Sequence, residues 1–272
     1  MAVRGRGWGL GTGDGRGVQG DKTEGRSFWR YDMRLILTGI EYAGKRTLGI
    51  EISRWWAGRT GDEFLEPPHL SFHDHFTVPH VVHAMGHKHH KALSEKQMLG
   101  LNPGLMEHYQ RYQIFNKLTP GYIEMADLFL IDWYYSDAVY APLYYGYGAP
   151  GQYADRRLMA RSLDADVLSL MPDMVLVLMK ASPEVIWRRV RKAVSPFPGR
   201  HKDTLFDKKD TETVLARFEE EYERSLFSRK FVLDTTDATV EESLREFMGQ
   251  IKPFITADDR LRMLSRAALE DA

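Results

Sequence analysis

The sequence has no cysteine among its 272 residues. This absence excludes a disulfide framework, a zinc–thiolate centre and a thiol nucleophile, and it is typical of a cytoplasmic protein. No apolar run approaches the ~20 residues of a membrane-spanning helix, and the N-terminus lacks the apolar core of a secretory signal. The formal net charge is only −1, so the overall charge gives no reason to expect a nucleic acid or a membrane surface as partner.

Residues 1–32 differ in composition from the rest of the chain, because glycine alternates there with arginine, aspartate and lysine. Such a segment buries too little apolar surface to offset the entropy of ordering, so we predict a flexible N-terminal tail. The stretch from Gly15 to Gly20 has the spelling G-x-G-x-x-G. Because no strand pattern precedes it and no helix pattern follows, it does not predict a dinucleotide site.

From Met33 onward, apolar segments of strand length alternate with segments of helical periodicity. The predicted strands lie at 35–37, 63–65, 128–131, 173–179 and 230–234. The predicted helices lie at 45–57, 105–118, 183–193, 211–226 and 239–252. Near-continuous apolar strands separated by helices indicate an α/β fold with a parallel five-stranded sheet and helices on both faces. We assign this domain to residues 33–256, followed by a helical C-terminal tail at 257–272.

A glycine-bounded loop follows the first predicted strand and reads Gly39-Ile-Glu-Tyr-Ala-Gly-Lys-Arg-Thr47. This layout is that of a phosphate-binding loop, G-x-x-x-x-G-K-[ST], whose backbone N–H groups and helix N-terminus hold phosphate oxygens. Lys45 would reach the β and γ phosphates of the nucleotide. Arg46 stands where the pattern has its Mg²⁺-binding hydroxyl, and Thr47 comes one residue late. Because Lys45 is a ligand group, we expect Lys45→Ala to abolish tight ATP binding and leave the fold intact.

Asp132 follows the predicted strand 128–131, so it is expected at the same sheet edge as Lys45. A carboxylate at this position can coordinate Mg²⁺ or orient the acceptor. The alternative is that Asp132 caps the helix after it.

A cluster of cations ends the predicted helix 183–193 and is followed by a segment rich in proline, glycine and further cations, Arg200 included. The cluster consists of Arg188, Arg189, Arg191 and Lys192. We interpret residues from about 192 to 210 as a basic flap that closes over the γ-phosphate. The alternative is a solvated helix face with an ordinary loop.

The order of these motifs resembles the thymidylate kinase family over residues 34–253. The glycine loop is similar to that family's G-x-D-G-x-G-K. Asp132-Trp-Tyr-Tyr-Ser136, with Val139-Tyr140 beyond it, is similar to its D-R-Y-x-x-S-x-x-Y segment, and 171–192 resembles P-D-x-x-x-x-L-x-x-x-P-E-x-x-x-x-R-x-x-x-R. The resemblance implies a P-loop kinase fold, ATP, Mg²⁺ and phosphoryl transfer to a nucleotide monophosphate or nucleoside.

The candidate site residues fall into four groups. The catalytic candidates are Lys45, Arg46, Asp132, Arg188, Arg191 and Arg200. The nucleotide-binding candidates are Gly39, Tyr42, Ala43, Gly44, Lys45, Arg46 and Thr47. The resemblance implies acceptor binding by Glu66 and Arg111, and the aromatic run 133–147 adds Tyr134 and Tyr140 as walls for a base. Thr47 and Asp132 are the metal candidates, and the other aromatic residues are expected in the core or at a subunit contact such as a homodimer interface.

Several positions depart from the family pattern. Arg46 replaces the hydroxyl, Trp133 replaces an arginine that handles the acceptor phosphate, Leu65 stands where an arginine is frequent, and Ala141 replaces a glutamine. The two lost cations at the acceptor end argue against an ordinary thymidylate substrate. Arg46 either stabilises the transferring phosphoryl group or marks a loop that binds nucleotide and catalyses poorly. The first alternative predicts a kinase, and the second predicts a nucleotide-binding switch or scaffold.

Eight of the ten histidines fall between His69 and His90, in an insertion at about 69–92. Imidazole at this density can bind zinc, but the spacing matches no metal template. The alternatives are a flexible polar insertion and a pH-sensitive segment, since imidazoles titrate near neutrality.

Overall fold

The computed structural model describes residues 33–61, 71–73, 97–125, 127–193 and 207–270. The predicted tail 1–32, the predicted strand 63–65, Glu66, most of the histidine-rich insertion and Arg200 lie outside the described residues. Among the residues that are described, no helix is long and apolar enough to cross a membrane.

Five parallel strands form one sheet in the order β2-β3-β1-β4-β5. The strands are β1 Arg34–Thr38, β2 Ser71–His73, β3 Leu128–Asp132, β4 Val175–Lys180 and β5 Lys230–Asp234. The predicted α/β fold class with a parallel five-stranded sheet is therefore confirmed. The position of the second strand differs, because Ser71–His73 supplies the edge strand beside β3.

Nine α-helices are found in the described part of the chain. They are α1 Lys45–Thr60, α2 Pro103–Asn116, α3 Pro120–Ile123, α4 Tyr134–Tyr140, α5 Arg156–Leu170, α6 Pro183–Lys192, α7 Thr211–Arg224, α8 Val240–Ile251 and α9 Ala257–Glu270. A π-helical turn, Ala141–Tyr145, extends α4, and 3₁₀ turns lie at Lys208–Asp210 and Lys252–Phe254. The helices α3, α4 and α5 have no counterpart among the helices predicted from the sequence.

Local capping explains where several helices begin. The Ser182 hydroxyl accepts a hydrogen bond from the first turn of α6, and Pro183 takes the first helical position. The Asp155 carboxylate accepts from two backbone N–H groups of α5. Thr239 and Glu242 form a reciprocal capping box at α8. These caps satisfy backbone donors that the first helical turn leaves without a partner.

Helices cover the sheet on both faces. The helix α1 packs over β1 and β3 and contacts α8 and α9, and Gly49 brings it close to Leu37 and Ile131. The other layer contains α4, α5 and α7, which pack together, with α7 against β4. Because β1, β3 and almost all of β4 are buried from both sides, their sequences read as continuous apolar runs.

The face that α2 buries differs from the apolar face expected from the sequence. Leu105, Tyr112 and Phe115 share that apolar face, yet they are 58%, 67% and 44% exposed. Glu107 and Gln110 are instead fully buried. The buried charge of Glu107 is compensated, since Glu107 pairs with two arginines, one of them buried in α5.

Candidate nucleotide-binding site

The loop between β1 and α1 adopts a backbone that few residues tolerate. Gly39 has φ 140° and Gly44 has φ 96°. A Cβ on Gly39 would lie 2.2 Å from the carbonyl oxygen of Met179, so only glycine fits against β4. Tyr42 has φ 63° without being glycine, a conformation that costs about 1–3 kcal/mol and persists where surrounding contacts hold it.

Lys45 and Asp132 meet at the C-terminal edge of the sheet. Lys45 Nζ lies 3.0 Å from Asp132 Oδ2 and donates hydrogen bonds to the carbonyl oxygens of Gly39 and, at 3.0 Å, Ile40. The Thr38 hydroxyl lies 3.4 Å from Asp132 Oδ1. Lys45 is 6% exposed and Asp132 is fully buried. The loop lysine and the strand carboxylate thus converge as the strand order requires.

An unusual turn directs the chain out of β3. Asp132 and Trp133 have φ 63° and 52°, so two consecutive non-glycine residues occupy the left-handed half of φ space. The Trp133 indole is fully buried and donates to the carbonyl of Ile114 at 3.0 Å. Trp133 is the N-terminal flanking residue of α4, with no side-chain cap. The alternative that Asp132 is the helix cap is therefore wrong.

A cavity of about 380 Å³ lies over the loop. It is lined by residues 41–48 of the loop and α1, by Met179 and Arg189, and by Thr235, Val240 and Ser243 around the end of β5 and start of α8. This volume falls within the range of small-molecule sites. Backbone N–H groups, a lysine and the N-terminus of a 16-residue helix line one side, a combination that suits an anionic ligand.

The predicted nucleotide-binding residues from Tyr42 to Thr47 line this cavity, with Arg46 and Thr47 exposed at the start of α1. Arg188 and Arg191 are exposed on α6 and do not line the cavity. The cation of this helix that lines it is Arg189.

The structure separates the predicted acceptor residues. The Tyr140 hydroxyl accepts from the backbone N–H of Glu41 at 3.3 Å, and burial, with the charges of Glu41 and Asp132, raises its pKa well above the ordinary value. Tyr134 is instead a core residue, 2% exposed, whose hydroxyl donates to Asp164 at 2.7 Å. Arg111 lies on α2, where its hydrogen bonds to Glu107 and then Tyr153 raise its pKa. Of the predicted acceptor residues that the structure describes, Tyr140 is the one that contacts the glycine loop.

A buried ionic network joins α2, α4 and α5. Arg156 is 2% exposed, pairs with Asp137 and lies 3.1 Å from Glu107 Oε1. The Tyr147 hydroxyl donates to Asp137 at 2.8 Å. Burial raises the pKa of Asp137, although Arg156 opposes this shift. The positive charges of Arg111 and Arg156 are therefore matched by carboxylates of the protein itself.

Three residues of the site were absent from the sequence-based candidates. Glu41 is 2% exposed and lines the cavity from inside the loop. Arg189 and Thr235 contact the loop from α6 and from the end of β5. Glu41 occupies the carboxylate position of the G-x-D-G-x-G-K pattern, which was a usable signal. Arg189 stands among other cations, and no sequence pattern distinguished it.

The oxygen donors near Lys45 fit the requirements of Mg²⁺. This ion usually binds one or two carboxylates together with water and substrate phosphates. Asp132 offers a carboxylate beside the Thr38 hydroxyl, and Thr47 offers an exposed hydroxyl at the start of α1. Within the described residues, no group of three or more His, Cys, Asp or Glu side chains could hold a metal ion. The residues therefore suit an ion that arrives with a nucleotide.

Several solved structures resemble this chain, and two of them hold a bound nucleotide. One is the YorR protein from Bacillus subtilis in complex with phosphorylated GDP, with 16% identity, 80% of this chain and 95% of that chain covered, and a TM-score of 0.46. The other is deoxyadenosine kinase from M. mycoides with bound dATP, with 15% identity, 81% of this chain and 100% of that chain covered, and a TM-score of 0.46. No protein-family model and no curated protein matches the chain.

Proposed function

We propose that this protein transfers the γ-phosphoryl group of ATP to a nucleoside or nucleoside monophosphate, in the manner of thymidylate kinase-like enzymes. The observation that carries the proposal is the contact between Lys45 Nζ and Asp132 Oδ2, at 3.0 Å, beside a strained glycine loop. A cavity of about 380 Å³ opens over this loop. Phosphoryl transfer depends mainly on positioning and on charge stabilisation, which such an arrangement provides.

The chain's own residues divide the work between donor and acceptor. The loop N–H groups and the N-terminus of α1 bind the donor phosphates. Lys45 exchanges its contacts with the Gly39 and Ile40 carbonyls for phosphate oxygens. Asp132 and Thr47 would hold Mg²⁺, which neutralises phosphate charge when bound. Arg46 stabilises the transferring group from the loop, Arg188 and Arg191 do so from the end of α6, and Arg200 does so from the flap.

The charges around the predicted acceptor residues favour an acceptor without a phosphate. Trp133 is fully buried where the family has an arginine. Arg111 and Arg156, on the same side of the fold, already pair with Glu107 and Asp137. In the described part of the chain, these cations are therefore committed to the protein. A phosphomonoester dianion would gain less here than the uncharged hydroxyl of a nucleoside, with Tyr140 and Glu66 as further acceptor contacts.

The test is ATP consumption with Mg²⁺ and a panel of nucleosides and nucleoside monophosphates, followed by identification of the phosphorylated product. We expect turnover with at least one acceptor, preferably a nucleoside, and loss of turnover in Asp132→Asn. Tight ATP binding without turnover on any acceptor would refute the kinase assignment. A cytoplasmic location and a homodimer stay predictions from the sequence.

The second candidate function is a nucleotide-binding switch, which is favoured by Arg46 in the position of the usual hydroxyl. The substitution Arg46→Ser distinguishes the kinase from the nucleotide-binding switch. If Arg46 stabilises the transferring group, the substitution lowers kcat by about ten-fold or more while ATP affinity is kept. An increase in Mg²⁺-dependent turnover would instead support a loop weakened by the arginine. Arg54→Ser, on the exposed side of α1, is the matched control and should change neither quantity.

A further inference from the structure

Two residues outside the loop hold its backbone carbonyls. Arg189 Nη1 donates to the carbonyl oxygen of Tyr42 at 2.9 Å and to the Thr235 hydroxyl at 3.0 Å. Arg189 Nη2 donates to the Thr235 carbonyl at 2.7 Å. The Thr235 hydroxyl lies 2.9 Å from the Ala43 carbonyl and 3.0 Å from that of Lys180, and its one proton serves either. Arg189 and Thr235, which we call the carbonyl clamp, thus connect α6 and the end of β5 to consecutive loop peptides.

The carbonyl clamp acts on the strained part of the loop. Tyr42 has φ 63° and Gly44 has φ 96°. The described peptide bonds are all trans, and in a planar trans peptide the C=O and N–H point in opposite directions. Holding the Ala43 carbonyl against Thr235 therefore directs the Gly44 N–H away from Thr235. The Ala43 N–H is already used, since it donates to the Ile40 carbonyl at 3.2 Å. The carbonyl clamp consequently sets the direction of the Gly44 N–H at the start of α1.

The position of Arg189 is electrostatically unfavourable without these carbonyls. Burial, together with the neighbouring charge of Arg188, lowers the pKa of Arg189 below its ordinary value. The contacts to the Tyr42 and Thr235 carbonyls compensate for part of this cost, because charge-assisted hydrogen bonds are stronger than neutral ones. Arg188 and Arg191 are exposed on the same helix, so they remain available to a ligand while Arg189 is committed to the loop.

We propose that Arg189 and Thr235 are positioning residues that hold the phosphate loop in its nucleotide-binding shape. This inference rests on the proposed function, since it assigns their role in the same donor site. The clamp raises nucleotide affinity through the loop N–H groups, without itself contacting the reacting atoms. Its effect should therefore extend to any ligand that binds through its phosphates, whether or not it carries a base.

The experiment measures calorimetric binding of ATP and of inorganic tripolyphosphate, with thermal unfolding of the unliganded protein. Arg189→Ala and Thr235→Val should weaken both ligands by the same factor, about ten- to a hundred-fold. Thr235→Ser keeps the hydroxyl and should bind like wild type. Arg217→Ala removes an arginine from α7, outside the clamp and the cavity lining, and should also bind like wild type. In the double variant, the losses should be less than additive, because either substitution already releases the loop.

Specific results would overturn the inference. Wild-type affinity for both ligands in Arg189→Ala and Thr235→Val would overturn it. Weaker ATP binding with unchanged tripolyphosphate binding would also overturn it, because Arg189 would then be a contact of the nucleoside. If Arg189→Ala does not fold, Thr235→Val, which loses one hydroxyl and no charge, decides the question. A wild-type protein that binds neither ligand would refute the proposed function itself, an outcome distinct from equal binding by wild type and variants.

Discussion

Removal of the Lys45 ammonium should affect stability as well as nucleotide binding. Lys45 is 6% exposed, and its partner Asp132 is fully buried at 3.0 Å. In Lys45→Ala, the Asp132 carboxylate stays buried without the lysine charge, and the Thr38 hydroxyl lies 3.4 Å from its Oδ1 atom. Removing one partner of a buried ion pair typically costs 3–5 kcal/mol. We expect about 3 kcal/mol, because the adjacent cavity lets water reach the carboxylate.

This result would correct the expectation that Lys45→Ala leaves the fold unaffected. The lysine was treated as a ligand group outside the core, whereas its ammonium also compensates a buried charge. Asp132→Asn should therefore rescue much of the loss in the double variant, since the amide carries no charge. Wild type, the two single variants and the double variant form a double-mutant cycle. Urea unfolding without nucleotide, monitored by circular dichroism, measures the unfolding free energy of each of the four proteins.

The cycle can refute the reasoning in two ways. An unfolding free energy for Lys45→Ala within about 0.5 kcal/mol of wild type would show that the pair does not stabilise the fold. Additive effects of the two substitutions on the unfolding free energy would show that the contribution of Asp132 to stability does not depend on Lys45. Added ATP provides an independent readout, because a ligand that binds the native state raises its stability. We expect this increase in wild type and not in Lys45→Ala.

Two further predictions concern the loop and the core. Gly39→Ala should lose nucleotide binding and about 2 kcal/mol of stability or more, because its Cβ would lie 2.2 Å from the Met179 carbonyl oxygen. In the control Gly58→Ala, the new Cβ meets no atom within 4 Å, and the unfolding free energy measured in urea should rise by about 0.5–1 kcal/mol. Equal effects of the two substitutions would contradict this prediction. Burial raises the pKa of Asp164 in the folded protein, so this carboxyl binds a proton more readily in the folded state, and its contribution to stability falls as pH rises above about 4. Asp164→Asn should flatten the fall in unfolding free energy as pH rises above about 4, and an unchanged slope would refute this assignment.

The phosphate loop and its carboxylate partner could be predicted because their signals are local. Gly39, Gly44 and Lys45 stand in one contiguous pattern after an apolar strand. Asp132 ends another apolar strand, and parallel strands bring their C-terminal ends to one edge. No long-range contact had to be known for this placement.

The arginines of α6 show where such reasoning ends. Arg188, Arg189 and Arg191 are chemically identical and nearly adjacent, so composition cannot choose among them. The orientation of α6 turns Arg189 toward the loop and leaves the other two exposed. The same limit applied to Tyr134 and Tyr140, because the turn at Asp132 and Trp133 sets the phase of α4.

The sequence by itself determined a glycine-bounded loop between a strand and a helix in a parallel α/β domain, because glycine position and apolar periodicity act through neighbouring residues. Only the tertiary structure decided that the charges of Lys45 and Asp132 are buried 3.0 Å apart, that Glu107 is buried in α2, and that Arg189 and Thr235 contact the loop. These contacts join residues far apart in the chain. Their free energy depends on burial and on the orientation of packed helices, which no local pattern records.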